Sequence, residues 1–411
     1  MNTQKVTTLL RRPIAISRIG IIGNGVAATT AVRDIRSRNK EVEIDVFTDE
    51  RHPYYPRPNL IDLVADRRTI KETIRYDLDW YEENDVALYL STPVFQIDTK
   101  KKRVISTSED YGDYDSILIA VGSRPHIPPF EGLEKNNVHV IRTLDDALDI
   151  KEAVKGAGRE IVIGGGILGI ELAAAMKEIG GEPIVVDYEN RLLPIQLDDL
   201  GSSVLIKQLD KKGIQVITGF ACKGITGEKD AAGIVSTQGD HIPGDLVVIT
   251  TGVRSNTIIA KNSGIDFNMG ITTDEHMQTS APGIYAAGDC MEYKGTWYGI
   301  IPWATATARI AAQNMLDFGS AKFEGITPSN QLQVAGIDLT SIGLVHPKSP
   351  EYESVVSVDM ENGRYFKAVL KDGVPVGGIA LGNRKVAMNL RSYIMKKEPV
   401  SDVKKVLFDT S

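Results

Sequence analysis

At 411 residues, with 42% apolar and 25% charged side chains, the chain is too long for one ordinary domain and has the composition of a packed globular protein. No apolar run is long enough to span a membrane, and a net charge of −7 argues against a broad nucleic-acid footprint. Two cysteines cannot build a disulfide framework, so a reducing cytoplasm is the expected location.

The opening "MNTQKVTTLLRRPIAIS" reads as a loose leader to about residue 16. Arg11 and Arg12 raise the question of a twin-arginine export signal. The apolar residues after them, however, run straight into a glycine-rich turn, with no separate apolar segment or small-residue cleavage site. From 18 to 35, "RIGIIGNGVAATTAVRDI" predicts a short buried strand, a G-x-G-x-x-A turn and an apolar-periodic helix. Gly23 suits the sharp exit from the strand, Gly25 lets backbone approach a pyrophosphate, and Ala28 keeps the helix close to the sheet. The helix that follows aims unsatisfied N–H groups at such an anion. The next strand, within "EVEIDVFTDE" (41–50), ends in acid, and either Asp49 or Glu50 suits a ribose hydroxyl. "KKKR" (100–103) reads first as a solvated hairpin turn and second as a docking patch for an acidic partner.

The same design returns at 160–179 as "EIVIGGGILGIELAAAMKEI", with Gly164, Gly166 and Gly169 in the three turn positions. Its second strand, "EPIVVDYEN" (182–190), ends in Asp187, which favours a free ribose 2′-hydroxyl and repels a 2′-phosphate. NADH is therefore expected over NADPH. One such turn is a weak signal, whereas two, each between strand and helix and each followed by an acid at the right interval, are strong. A further pattern, an apolar strand running into a glycine, appears in "YDSILIAVGSRP" (114–125), "GDLVVITTGVRSN" (244–256) and "GIYAAGDC" (283–290). Gly122, Gly252 and Asp289 stand in these motifs and are candidate cofactor-binding residues. "GIIPWATATARIAAQNM" (299–315) predicts a helix with Pro302 at its start, and Trp303 beside it is either a cofactor contact or core packing. From about 321 the patterning changes to antiparallel strands with a helix, including a hairpin turn at "KDGV" (371–374). The six histidines are scattered without ligand spacing, so no metal is expected. No nucleophile elbow is present either.

With these motifs the chain resembles the FAD- and NAD(P)H-dependent pyridine nucleotide–disulfide oxidoreductases over residues 17 to about 320. The resemblance implies an α/β fold of two Rossmann-like dinucleotide-binding domains, one for FAD with the NADH domain inserted, plus a C-terminal α+β domain. The expected bounds are 1–130 and 257–320 for the FAD domain, 131–256 for the NAD domain and 321–411 for the last. It also implies that Asp289 holds the ribityl–phosphate region of the flavin, and that the helix after Pro302 points its N-terminus at the reduced ring. Glu171, two residues past Gly169, matches a glutamate that faces the flavin and pairs with a basic residue.

The disulfide-reducing branches carry cysteine after the first unit, where this chain has "YYPRPNL" (54–60), and neither Cys222 nor Cys290 matches the redox position. Both read as small packed residues. "YYPRPNL" is similar to the corresponding stretch of NADH:rubredoxin reductases and of the FAD–NADH half of assimilatory nitrite reductases. That match implies an Arg57 near flavin N5, paired with Glu171. The same architecture resembles the NADH-handling subunits of multisubunit dehydrogenases. The chain holds no cysteine set for iron–sulfur or sirohaem groups, so a whole nitrite reductase is not expected.

The leading expectation is thus an NADH:acceptor oxidoreductase. It would pass hydride to FAD and single electrons to rubredoxin, ferredoxin or an iron–sulfur partner subunit, as a homodimer or within a heteromeric complex. The rivals are an NADH oxidase that reduces O₂ and a nucleotide-sensing flavoprotein with little turnover.

Overall fold

The computed structural model describes residues 16–107, 109–326 and 329–410; the leader and its paired arginines lie outside them. The chain forms two compact units. The first comprises residues up to Pro56, Ile74–Arg124 and Arg254–Ile326, and the second Arg57–Thr73, Pro125–Val253 and Thr327 onward. The division falls inside "YYPRPNL", so Tyr54 and Tyr55 belong to the first unit and Arg57 to the second. It also groups the second dinucleotide-type sheet with the C-terminal sheet.

The first unit is built on a five-stranded parallel sheet. Its order is Ile284–Ala286, Ser116–Ile119, Arg18–Ile22, Glu43–Phe47 and Val86–Tyr89. The central strand buries Ile19, Ile21 and Ile22, as expected of a parallel strand covered on both faces. Helices Val26–Arg38 and Ile301–Leu316 pack on one another. Both bury small residues, Ala27, Ala28 and Ala31 on one and Ala304, Ala308 and Ala311 on the other. An antiparallel hairpin pairs Val94–Asp98 with Arg103–Ser106, and the "KKKR" run forms its turn. Lys100 and Lys101 donate their main-chain N–H groups to Asp98 there.

The second unit repeats the scheme with the order Gln215–Ile217, Pro183–Val186, Glu160–Ile163, Leu246–Ile249 and Val138–Val140, all parallel. Helix Ile167–Glu178 follows the central strand. An antiparallel three-stranded sheet, Cys222–Thr226, Gly233–Ser236 and His241–Pro243, lies between its later strands in sequence. The C-terminal part is a five-stranded antiparallel sheet ordered Ser329–Val334, Ile337–Gly343, Val374–Leu381, Arg364–Lys371 and Tyr352–Asp359. Helix Arg384–Lys396 covers one face through Val386, Ala387 and Leu390. The "KDGV" turn is a two-residue hairpin. Lys371 faces Val374, and Asp372 and Gly373 both have positive φ, as the twist of paired strands requires.

Candidate functional site

In the first unit the strand Arg18–Ile22 delivers Gly23 with φ +106, and a Cβ there would stand 2.2 Å from the carbonyl oxygen of Ala120. Only glycine fits. At Gly25 the situation reverses, because a Cβ would meet nothing within 4 Å. The turn is thus jammed on its sheet side and open where backbone must approach an anion. Gly25 is the N-cap of helix Val26–Arg38, which has no side-chain cap and no acid in its first turn. Its first amides are left for a ligand. The second unit repeats this geometry. A Cβ on Gly164 would stand 2.5 Å from the Thr250 carbonyl, and one on Gly166 would meet nothing. The third positions differ for a physical reason. A Cβ on Gly169 would come within 2.0 Å of the Gly164 carbonyl, whereas the corresponding helix of the first unit leaves room for the buried methyl of Ala28.

The strand-end acids also separate. Gly23 donates to the carbonyl of Phe47 and Gly164 to that of Val186, so Thr48 and Asp187 occupy equivalent places. Both turn back on their own chain, Thr48 Oγ1 accepting from Glu50 N at 3.2 Å and Asp187 Oδ1 from Glu189 N at 2.7 Å. The other oxygen of Asp187 accepts from Gly165 N inside the turn. Burial pushes the Asp187 carboxyl above its ordinary range, opposed by those two main-chain donors. In the first unit Asp49 is exposed, while Glu50 accepts from the Tyr55 hydroxyl.

The remaining first-unit candidates gather beside the Gly23 turn. Gly288, at φ +80, donates to Thr307 Oγ1 at 3.0 Å, and a Cβ there would stand 3.0 Å from that of Ala27. Asp289 follows it in a single 3₁₀ turn and accepts from Ser123 Oγ at 3.2 Å, next to Gly122. Its main-chain carbonyl accepts from the indole N–H of Trp297 at 2.8 Å. Helix Ile301–Leu316 starts with Pro302 in its first turn, no acid and no side-chain cap, so its N-terminus presents free amides and a positive dipole end. Trp303 is 1% exposed and stacks edge-on against Tyr298 and Phe323. Its ring packs the core, and its buried Nε1 has no acceptor among the described residues.

In the second unit Gly252 has φ +95, and its carbonyl accepts from His126 N at 2.9 Å. Arg57 precedes helix Asn59–Val64, which lies against helices Leu144–Gly156 and Ile167–Glu178. Its guanidinium donates to the carbonyl of Arg142 at 2.7 Å. Glu171, on helix Ile167–Glu178, accepts from the main-chain N–H of Ala335 at 2.8 Å. Burial raises its pKa, opposed by the main-chain N–H of Ala335 and then by the charge of Arg67. The two cysteines are free thiols, Cys290 buried and Cys222 half-buried. Burial pushes Cys222 up to about 11 and Cys290 up to about 12, and Cys290 Sγ lies 3.3 Å from the carbonyls of Ile119 and Ala287.

Sequence reasoning missed Ser123, Trp297 and Thr250. The Thr250 hydroxyl lies 3.1 Å from the carbonyls of both Ile163 and Gly164, under the second turn. Its place two residues before Gly252 was the signal available. Among the described residues no group of histidine, cysteine or carboxylate side chains could hold a metal ion.

Residues 17–309 match the model of the pyridine nucleotide-disulphide oxidoreductases, and 328–398 that of the rubredoxin NAD⁺ reductase C-terminal domain. The chain belongs to the pyridine nucleotide-disulphide oxidoreductase family. A nitrite reductase [NAD(P)H] of Bacillus subtilis is 33% identical over 94% of this chain and 48% of its own length. The chain thus spans about half the length of that relative. An NADH oxidase of Methanocaldococcus jannaschii is 31% identical, over 79% of this chain and 75% of the oxidase. The crystal structure of NADH:rubredoxin oxidoreductase from Clostridium acetobutylicum superposes with a TM-score of 0.79 at 28% identity, covering 94% of this chain and 97% of that one. Both of the chain's glycine turns leave open room, beside Gly25 and beside Gly166.

Proposed function

We propose that the chain takes hydride from NADH and delivers electrons singly to an iron-containing protein, such as a rubredoxin, a ferredoxin or an iron–sulfur partner subunit. One observation carries this reading. Two dinucleotide turns stand in one chain whose only two thiols are packed and held protonated, so electrons have no disulfide to reach. Bound FAD supplies the exchange between an electron pair and single electrons. The turn at Gly23–Ala28 holds its pyrophosphate on free helix amides, and Asp289 its ribityl side. The turn at Gly164–Gly169 holds NADH, with Asp187 accepting from the adenosine ribose and disfavouring NADPH. The start of helix Ile301–Leu316 favours negative charge on the reduced ring. In this reading residues 1–130 and 257–320 form the FAD domain, 131–256 the NADH domain and 321–411 the C-terminal domain. The reaction takes place in the cytoplasm.

Anaerobic stopped-flow tests the reading. The NADH-reduced protein, mixed with ferric rubredoxin, should be reoxidised faster than with air-saturated buffer. Reoxidation by O₂ within the turnover time, with no gain from rubredoxin, would instead assign an NADH oxidase, the activity named for the M. jannaschii relative. By the resemblance, Arg57 and Glu171 are the charged residues of the redox step. Arg57→Ala should slow flavin reduction by NADH while FAD stays bound, and an unchanged rate and potential would make Arg57 structural.

A further inference from the structure

Tyr188, the residue after Asp187, is 74% exposed. Among the described residues its hydroxyl has no hydrogen-bond partner and its ring no aromatic or cationic neighbour. The backbone that carries it is nonetheless held on both sides. Asp187 N donates to the carbonyl of Ile217 at 2.9 Å, and the carbonyl of Asp187 accepts from Phe220 N at 2.9 Å. Glu189 N donates to Asp187 Oδ1 at 2.7 Å, and the carbonyl of Glu189 accepts from Gly219 N at 2.8 Å. Tyr188 is thus a single residue between two fixed ones, and the freedom left to its ring is that of its own side-chain torsions. The fold does not require an aromatic there. Thr48 is the counterpart of Asp187 in the first unit, so Asp49 is the counterpart of Tyr188.

An unpacked ring on a fixed backbone is a ready platform for another flat ring, because little ordering entropy remains to be lost when the two faces meet. The ligand that the preceding residue holds carries such a ring. Asp187 takes the adenosine ribose, and the adenine is joined directly to that sugar. Consecutive Cα atoms are about 3.8 Å apart, so the Tyr188 side chain starts one residue from the ribose contact. We infer that Tyr188 is the adenine platform of the nucleotide site, its ring stacking on the base while Asp187 accepts from the ribose. This rests on the reading of the Gly164–Gly169 turn as the NADH site. The two neighbours then divide the adenosine end between them: Asp187 discriminates at the 2′ position, and Tyr188 supplies affinity for the base.

The test follows reduction of the flavin in the holoprotein by anaerobic stopped-flow. The donors are NADH and reduced nicotinamide mononucleotide, which keeps the hydride donor and lacks the adenosine. In Tyr188→Ala the apparent dissociation constant for NADH should rise about tenfold, as for the loss of one base–aromatic stack. The limiting rate should stay within about twofold, and the rate constant with the mononucleotide should not change. ADP-ribose, which keeps the adenosine and lacks the nicotinamide, should weaken as a competitor by the same factor as NADH. Tyr188→Phe keeps the ring and should bind NADH within about twofold of wild type. An apparent dissociation constant for NADH within about twofold of wild type in Tyr188→Ala would overturn the inference and leave the ring to solvent. An equal loss with the mononucleotide would also overturn it, since only a distorted turn acts on both donors. A Tyr188→Phe protein as weak as Tyr188→Ala would overturn the stack in favour of a hydrogen bond from the hydroxyl. Wild-type protein whose flavin NADH does not reduce would overturn the reading of the turn itself, and the inference with it.

Discussion

The indole N–H of Trp297 donates to the main-chain carbonyl of Asp289 at 2.8 Å, and Ser123 holds the side chain of the same aspartate from the other side. Asp289 is thereby fixed at both ends, in a 3₁₀ turn too short to be rigid by itself. Trp297→Phe keeps an aromatic ring over Gly299 and removes only the donor. A neutral hydrogen bond contributes about 1 kcal/mol, so FAD affinity should fall about fivefold. Titration of the apo-protein checks this; an unchanged dissociation constant would show that Asp289 needs no help from the indole.

Asp187 acts on two things at once, since it braces the second turn through Gly165 N and offers its remaining lone pairs to a ribose. Asp187→Asn keeps the shape but loses the charge that repels a 2′-phosphate. The expected outcome is a rise in KM for NADH by about tenfold, against a smaller change for NADPH, so the preference narrows. Steady-state kinetics with both nucleotides reads it. Equal loss with the two nucleotides would mean that Asp187 serves the turn alone.

What was legible in the sequence was local. The two glycine turns could be read because sterics at a strand exit act over six residues, and the positive φ of Asp372 and Gly373 is written in the dipeptide itself. The partners of the site residues were not legible, because they come from far along the chain. Ser123 meets Asp289 across 166 positions and Tyr81 meets Asn24 across 57. Glu171 shows the limit best. Its place after Gly169 marked it as charged and near the turn, but its hydrogen-bond donor is an amide 164 residues on, in a hairpin turn with no side-chain signature. The acid at the end of the second strand illustrates the same point. Main-chain register makes Thr48 the counterpart of Asp187, and no count of residues from the glycines could have distinguished it from Asp49 or Glu50.

Asp198 caps helix Asp199–Lys211 by accepting from Gly201 N and also accepts from Tyr365 at 2.6 Å and Lys367 at 2.8 Å on the C-terminal sheet. Burial raises its pKa, but the lysine and tyrosine donors outweigh that and hold it below the ordinary range. Asp198→Ala leaves the nearly buried Lys367 ammonium without its counter-charge and should cost about 3 kcal/mol of stability. A depressed carboxyl contributes stability above its unfolded pKa and loses it as pH falls through the folded value. The gap between wild type and Asp198→Ala should therefore be widest near neutral pH and close in acid. Denaturant unfolding at several pH values measures it, and a gap independent of pH would reduce Asp198 to a helix cap.

Glu160 has the opposite sign. It is fully buried at the start of its strand; one carboxyl oxygen accepts from Glu182 N at 2.6 Å and the other has no partner among the described residues. Burial raises its pKa, and Glu182 adds repulsion, against the main-chain donors and Lys177. A raised carboxyl favours folding while it is protonated, below its unfolded pKa, and that contribution is lost as pH rises through the folded value. Glu160→Gln keeps an acceptor for Glu182 N and carries no charge, so it removes this slope. Relative to wild type the variant should gain stability steadily from acid to neutral pH, by roughly 1–2 kcal/mol in total. Melting curves of the two proteins across that range decide the matter. A difference that stays flat, or that runs the other way, would mean that water reaches the second oxygen and the carboxylate is stable where it lies.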